Sequence, residues 1–301
     1  MTECHQQNEA AIVALLDQPA DKTIDAMVEK LSKRRGVAAV LFYGNRLREV
    51  DADGLLDLYV LIDGNKAYHG AGFSALFNKI LPPNVYFEEI TSDTGTVNAK
   101  VAVMTLSSFR SKMSPKSWDT TLWARFSQPA RLVYCRDEES REAVIEAITS
   151  AYETAIWWAF RLASNTQSAT ALWTGLFSKT YGAELRVESG NRAGMIVAKA
   201  PELYQTLYTA FVEDASKYPI AKGEQDKAHK QWARRRMIGK VQNLLRLIKA
   251  AITFRGGIAY ALSKVERHSG RAVELKPWER RLPWLAAPFV FVRLLIERRL
   301  R

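Results

Sequence analysis

A glycine turn followed by a carboxylate is the feature of this 301-residue chain best suited to chemistry. An apolar run over 37–43 ends in Tyr43-Gly44-Asn45, and a second apolar run over 55–62 carries Asp57 near its start. A small residue with exposed backbone N–H groups lets a phosphate approach, and a carboxylate can hold Mg²⁺ against phosphate oxygens. The pattern therefore predicts phosphate binding at Gly44-Asn45 and a metal ligand at Asp57.

The order of strand, glycine turn and acid-bearing strand resembles the nucleotidyltransferases of the polymerase-β type. Those enzymes usually carry two acids two residues apart, because alternate strand positions face the same side. Here the second position is Tyr59, and Asp63 lies roughly 20 Å further along a strand, so we expect Asp63 to cap the strand end. The alternative interpretation is a hydrogen-bonded buried acid at Asp57 after an ordinary turn.

These residues need a sheet to position them, and the chain contains the corresponding runs. Apolar residues at helical spacing predict a helix over about 7–34. Runs typical of strands follow at 37–43, 55–62, 84–90, 99–106 and ARLVY (130–134). Helical patterns over 107–126 and about 137–163 complete a mixed sheet with helices. The predicted fold class is therefore α/β (α+β), with a polymerase-β-like nucleotidyltransferase sheet.

Beyond about residue 150 the pattern is helical almost throughout. The polar segment 217–230 is expected to be a mobile connection, and a basic helix is expected over 232–251. We predict a nucleotidyltransferase domain over 1–150, a helical domain on the substrate and lipid side over 151–275, and an amphipathic membrane-associating tail over 276–301.

Composition narrows the class of protein. Forty-three Lys and Arg against 32 Asp and Glu give a net charge of +11, which favours a polyanionic partner. The two cysteines, Cys4 and Cys135, lack metal-ligand spacing, and the N-terminus shows neither a secretory signal nor a transit peptide. No stretch reaches the roughly 20 apolar residues of a membrane span. We expect a cytoplasmic protein, with any membrane contact peripheral and at the inner face of the cell membrane.

Several short matches, in order along the chain, resemble the mitochondrial-type phosphatidate cytidylyltransferases. The family's Tyr-Gly-Ser turn resembles Tyr43-Gly44-Asn45, and its single-acid strand resembles 56–60. Its later motifs resemble segments that contain Asp63, His69, Lys100, Arg125, Glu184, Arg186, Lys249 and Lys264. Asn45 stands where the family has Ser, and Glu184 where it has Asp.

The resemblance implies an enzyme that makes CDP-diacylglycerol from CTP and phosphatidic acid with Mg²⁺. It implies Asp57, Lys100 and Arg125 as catalytic residues, with the metal on Asp57. It implies nucleotide binding by Tyr43, Gly44, Asn45, Arg186, Lys249 and Lys264. A further metal ligand is needed, and the candidates are Glu88, Glu184 and the triphosphate itself.

The C-terminal segment mixes cations with aromatic and aliphatic residues. From Lys264 to Arg301 there are ten Lys or Arg and four acids, interleaved with residues such as Trp278, Trp284 and Phe289. This mixture suits an anionic membrane surface. A helix packed on the core or on a second subunit is the alternative, and homo-oligomerisation stays open.

Two other functions compete with this interpretation. One is nucleotidyl transfer to a different acceptor, and the other is a catalytically inactive membrane-associated scaffold with the same fold. The basic helix around Trp232 and Arg234 could also contact nucleic acid, but no DNA- or RNA-binding motif accompanies it, so no nucleic acid is expected.

Overall fold

A computed structural model of the chain describes residues 3–48, 55–92, 95–163, 168–183, 192–215, 222–253, 276–281 and 293. Its centre is a five-stranded mixed sheet, which confirms the predicted mixed α/β class. The strands are β1 (Val37–Tyr43), β2 (Leu56–Ile62), β3 (Asn84–Ser92), β4 (Gly95–Thr105) and β5 (Arg131–Cys135). Their order across the sheet is β3-β4-β2-β1-β5. Strands β2 and β4 run parallel, and the other neighbours are antiparallel.

Thirteen α-helices surround the sheet in the described part of the chain. The first seven are α1 (Glu3–Leu16), α2 (Asp25–Ser32), α3 (Asn45–Arg48), α4 (Asn65–His69), α5 (Phe73–Ile80), α6 (Leu106–Ser111) and α7 (Thr120–Phe126). The others are α8 (Glu138–Leu162), α9 (Ala169–Tyr181), α10 (Arg192–Ala198), α11 (Pro201–Ala215), α12 (Lys222–Thr253) and α13 (Pro277–Arg281). A short 3₁₀ helix, Lys22–Ile24, precedes α2.

The two faces of the sheet bury different side chains, because successive strand residues point to opposite sides. Leu58, Val60 and their neighbours pack with α2 in the smaller core cluster. Tyr59 and Leu61 point the other way, into the larger cluster. That cluster continues through α8, α9, α11 and α12, so one face of the sheet carries the helical half of the molecule.

Two expectations about the helices need correction. The expected helix over 7–34 is interrupted at 17–21, where Asp21 caps the 3₁₀ helix by accepting from the Thr23 N–H. The expected mobile connection over 217–230 is wrong from residue 222 onward, because this stretch begins α12. Ala228 and Trp232 are buried at helical spacing on its inner face, which anchors the polar segment to the core.

The first predicted domain boundary, at residue 150, falls within a helix. Residue 150 lies inside α8, whose 25 residues run on without a break. Most of the expected amphipathic tail lies outside the described residues. Within it, α13 is described, and Glu279 is buried and accepts from the Arg293 guanidinium at 3.1 Å.

Among the described residues, no helix combines the length and the apolar character that crossing a membrane requires.

Candidate active site

The turn after β1 brings the backbone of Gly44 close to the carboxylate of Asp57. Tyr43, the last residue of β1, pairs with Asp57 in β2, so Gly44 lies beside the Asp57 side chain. Gly44 has φ +94°, a conformation that other residues adopt only at a cost. A Cβ at Gly44 would overlap the Asp57 carboxylate and lie 2.9 Å from Asp57 Cβ. Glycine is therefore required twice at this position, by backbone conformation and by the approach of Asp57.

Lys100 completes this part of the site from the neighbouring strand. In the parallel pairing of β2 with β4, Asp57 lies opposite Lys100, and Tyr59 lies opposite Ala102. Because the pleat alternates, all four residues face the side of the sheet that carries the helical half of the molecule. The register therefore places a carboxylate and an ammonium side by side next to the glycine turn.

A pocket of about 110 Å³ opens beside these residues. Its walls come from the sheet, from α7, from the segment before β3 and from the second half of α12. Of the described residues that line it, four are basic and none is acidic: Lys100, Arg125, Arg246 and Lys249. Such a concentration of positive charge in a small concave space favours an anion.

Aromatic rings support the cations on the sheet side of the pocket. The Arg125 guanidinium lies 5.4 Å from the centroid of the Tyr43 ring. Tyr43 packs on Tyr59, and Tyr59 meets Phe126 edge-on with ring centroids 5.1 Å apart. Complete burial raises the pKa of Tyr59 to about 12, against the opposing effect of the Arg125 charge. Tyr59 therefore stays a neutral wall of the pocket.

Helix α12 supplies the other two cations. Lys249 is buried and donates to the backbone carbonyls of Leu81 and Pro83, the latter at 2.6 Å. Arg246 donates to the carbonyl of Pro82 at 3.3 Å. Burial, with a smaller contribution from the Arg246 charge, lowers the pKa of Lys249 to about 8. Lys249 therefore changes charge close to physiological pH.

Asp119 holds Arg246 in position. It is buried, caps the start of α7 by accepting from the Thr121 N–H at 3.2 Å, and pairs with Arg246 and Lys112. Burial alone would raise the pKa of Asp119. The Arg246 and Lys112 charges outweigh that effect and lower the pKa below its usual range. A single buried carboxylate thus fixes both a helix start and a pocket cation.

The described residues offer one carboxylate for a divalent metal. Glu88 was a candidate second ligand, and that prediction is wrong. Glu88 accepts from Lys30 at 2.9 Å and from Arg34 at 2.7 Å. Both cations come from α2 and the turn after it, on the opposite side of the sheet from Asp57. Glu184 lies outside the described residues, and no group of three potential metal ligands occurs within them.

Mg²⁺ nevertheless suits such a site, because it is often bound by one or two carboxylates together with substrate phosphates. The Asp57 side chain makes no hydrogen bond or ion pair with the residues that the structure describes. It borders a pocket whose cations can hold the phosphates. The described residues are therefore compatible with a metal that is held by Asp57 together with the phosphates of a nucleotide.

Most predicted site residues that the structure describes come together. Tyr43, Gly44, Asp57, Lys100, Arg125 and Lys249 surround the pocket or adjoin its walls. Asn45 follows Gly44 but is exposed, and its side-chain oxygen accepts from Arg192 of α10 at 2.6 Å. Arg186 and Lys264 lie outside the described residues.

Asp63 and His69 lie apart from the pocket walls. Asp63 follows the end of β2, as expected, and pairs with Arg136 at 2.5 Å. His69 Nδ1 is 3.0 Å from the Tyr86 hydroxyl, and its Nε2 is 3.1 Å from the Asn78 amide. Burial, followed by the nearby Lys249 charge, lowers the pKa of His69 to about 4, so its ring is neutral at physiological pH.

Sequence reasoning missed Arg246, Asn243 and Asp119. Asn243, Arg246 and Lys249 are spaced by three, which places them on one side of a helix, and Lys249 was already a candidate. Asp119 stands immediately before a helical run, where Asp commonly acts as an N-cap. Both signals were present, but neither indicated which helix would face the sheet.

No model of a known protein family matches this chain. No curated protein matches it either.

Proposed function

We propose that this chain is a nucleotidyltransferase that moves CMP from CTP to phosphatidic acid, giving CDP-diacylglycerol and pyrophosphate. One observation carries the proposal: the strand register unites the Gly44 turn, Asp57 and Lys100 at the edge of a pocket lined by four cations. The choice of cytosine and of phosphatidic acid comes from the family resemblance of the sequence.

The size of the pocket favours phosphate groups over a whole nucleotide. Sites that enclose a complete small molecule usually measure about 300–1,000 Å³, whereas this one measures about 110 Å³. Two guanidinium groups and two ammonium groups are well matched to phosphate oxygens. The nucleotide would place its phosphates in the pocket and leave its base and ribose outside these walls.

The transfer needs positioning and charge neutralisation more than proton transfer. An oxygen of the phosphatidic acid phosphate attacks the α-phosphorus of CTP, a new P–O bond forms, and the bond to the pyrophosphate leaving group breaks. The attacking oxygen is already ionised near neutral pH, so a strong base is not required. Fixed cations aimed at developing negative charge can lower such a barrier by several kcal/mol.

The roles of the cations follow from their positions. Lys100 lies beside Asp57 and Arg125 lies over Tyr43, so these two are placed to stabilise charge on the phosphoryl group being transferred. Arg246 and Lys249 project from α12 and are placed to bind the second phosphate-bearing partner or the leaving pyrophosphate. Mg²⁺, held by Asp57 and the triphosphate, would neutralise further charge on the phosphates.

Pyrophosphate release from the purified full chain tests the proposal. Release should require Mg²⁺, CTP and vesicles that contain phosphatidic acid. Asp57→Ala should abolish it, whereas Asp63→Ala, at the exposed end of β2, should retain it. Release with CTP but with another acceptor would move the assignment to a different nucleotidyl transfer. No release with any nucleotide or lipid would overturn the proposal and favour an inactive scaffold.

A further inference from the structure

Helix α5 carries a stripe of exposed apolar side chains. Phe73, Leu76 and Ile80 are 78%, 50% and 69% exposed, and they recur at the spacing of one helical face. The Phe77 ring stacks beside Phe73, with ring centroids 6.3 Å apart, and broadens the stripe. The opposite side of the helix is anchored by the buried residues Ala75 and Asn78. Single exposed apolar residues are common, but a helical stripe of them marks a contact surface.

A second stripe occupies the outer side of α12. Met237, Val241, Leu244 and Leu245 are all exposed, and their spacing places them on one face of the helix. The inner face of the same helix buries Trp232 and Lys249. Helix α12 is therefore apolar on its outer side over the same turns in which its inner side supplies cations to the pocket.

Both stripes adjoin the pocket. Ile80 ends α5, and the next three residues include Pro83, which lines the pocket and accepts from Lys249. Leu245 immediately precedes Arg246, another lining residue. The hydrogen bonds from α12 to the segment 81–83 join the two helices at this point. The ends of the two stripes, Ile80 on α5 and Val241, Leu244 and Leu245 on α12, thus lie within about one helical turn, along the chain, of residues that line the pocket.

The Lys and Arg residues around the α12 stripe have no acidic residues among them. Between residues 227 and 253 the sequence contains eight Lys or Arg and no Asp or Glu. Lys230, Arg234 and Lys240 are exposed on α12, and Lys79 is exposed on α5. An apolar stripe bordered by cations is the pattern by which helices bind the headgroup region of an anionic bilayer.

We infer that the α5 and α12 stripes together form the surface that rests on an anionic bilayer, with the pocket beside the lipid headgroups. This inference builds on the proposed function, because a phosphatidic acid molecule that stays in the bilayer could then present its phosphate to Arg246 and Lys249. It assigns membrane contact to two helices of the described fold, separate from the C-terminal segment 276–301.

A polarity-sensitive fluorophore tests the contact without requiring any turnover. Nitrobenzoxadiazole is attached to Leu76→Cys or Leu244→Cys in a full chain whose Cys4 and Cys135 are replaced by Ala. Vesicles containing phosphatidic acid or phosphatidylglycerol should shift the emission of both probes to shorter wavelength, and phosphatidylcholine vesicles should not. The control is Met195→Cys in α10, where the native side chain is equally exposed at 51% and lies on neither stripe.

Paired substitutions provide a second measurement. Leu76→Asn combined with Leu244→Asn should weaken binding to phosphatidylglycerol vesicles by about tenfold or more, because two apolar side chains no longer enter the interface. Met195→Asn should bind like the unaltered chain. Unchanged probe emission at both positions would overturn the inference. A shift without vesicles that grows with protein concentration would also overturn it and indicate a second copy of the chain.

If the chain released no pyrophosphate but the probes responded to anionic vesicles, the proposed function would fail and the docking surface would stand. If pyrophosphate were released but the emission of the probes did not shift with vesicles, only the inference of a docking surface would be wrong. A short-chain phosphatidic acid that dissolves as a monomer gives a further distinction. The paired variant should use this substrate normally and lose activity only on vesicles.

Discussion

Two clusters of charge lie on opposite sides of the sheet and differ in how their cations are arranged. On the α2 side, Lys30 and Arg34 both form ion pairs with one carboxylate, Glu88. Burial tends to raise the pKa of Glu88, but these two cations lower it overall. On the other side, four cations line a pocket whose described walls contain no acid, and the nearby Asp119 pairs with Arg246.

We expect this difference to separate an ion cluster that stabilises the fold from a cluster that binds an anion. When cations converge on a carboxylate of the same protein, their charge is used within the fold. When several cations converge on a concave space, bringing them together costs free energy that an incoming anion can recover. The Glu88 cluster therefore stabilises the fold, whereas we expect the pocket cluster to bind phosphate.

Removing the acid from each cluster should affect stability most. Asp119→Asn should lower the free energy of unfolding by about 3 kcal/mol, because it leaves the partly buried Arg246 and Lys112 without their carboxylate. Glu88→Gln should cost about 1 kcal/mol, because its partners are more exposed to water. Urea unfolding of the two variants measures both values. Equal losses would show that the two clusters have similar roles.

Replacing a glycine by alanine at the pocket and away from it tests whether the backbone at Gly44 positions Asp57. Gly44 and Gly70 both have positive φ, but a Cβ at Gly70 would meet no atom within 4 Å. Gly44→Ala should displace Asp57 and reduce pyrophosphate release by on the order of 10²-fold. Gly70→Ala should affect stability alone, at a cost on the order of 1–3 kcal/mol, because its backbone conformation is almost restricted to glycine. Similar activity in both variants would contradict the placement of Asp57 in the active site.

Neutralising one cation in each cluster should show which of the two clusters binds pyrophosphate. Lys100→Gln should weaken pyrophosphate binding by about tenfold, because a charge-assisted contact to phosphate is lost. Lys30→Gln, on the other side of the sheet, should leave the affinity unchanged. Isothermal titration calorimetry gives both dissociation constants. An equal loss in the two variants would indicate a long-range effect of net charge.

The smallest expected effect depends on pH. Lys249 is charged below its pKa of about 8 and neutral above it, so anion affinity should fall a few-fold as pH rises through about 8. Sulfate is a suitable probe because its own charge is constant over this range. Lys249→Arg should remove the pH dependence, since Arg stays protonated. His69 is neutral throughout the window and should contribute nothing.

The local pattern of the sequence predicted much of the fold. The strand over 37–43 and the long helix over about 137–163 were predicted almost to the residue, because a short continuous apolar run is typical of a fully buried strand and a period of 3.6 is typical of a helix. The first turns of α12 were mistaken for a connection. Their exposed charges dominate the composition, and the buried stripe begins only at Ala228 and Trp232.

By itself, the sequence determined the glycine turn, the single strand acid and the set of cations worth testing, because residue type and local spacing are written in the chain. The tertiary structure decided which of them meet. Parallel pairing of β2 with β4 brings Lys100 to Asp57, and α12 carries Arg246 and Lys249 to the same pocket from far along the chain. The strand register also places Glu88 on the opposite side of the sheet. Strand register and helix docking are set by long-range packing, which local periodicity does not encode.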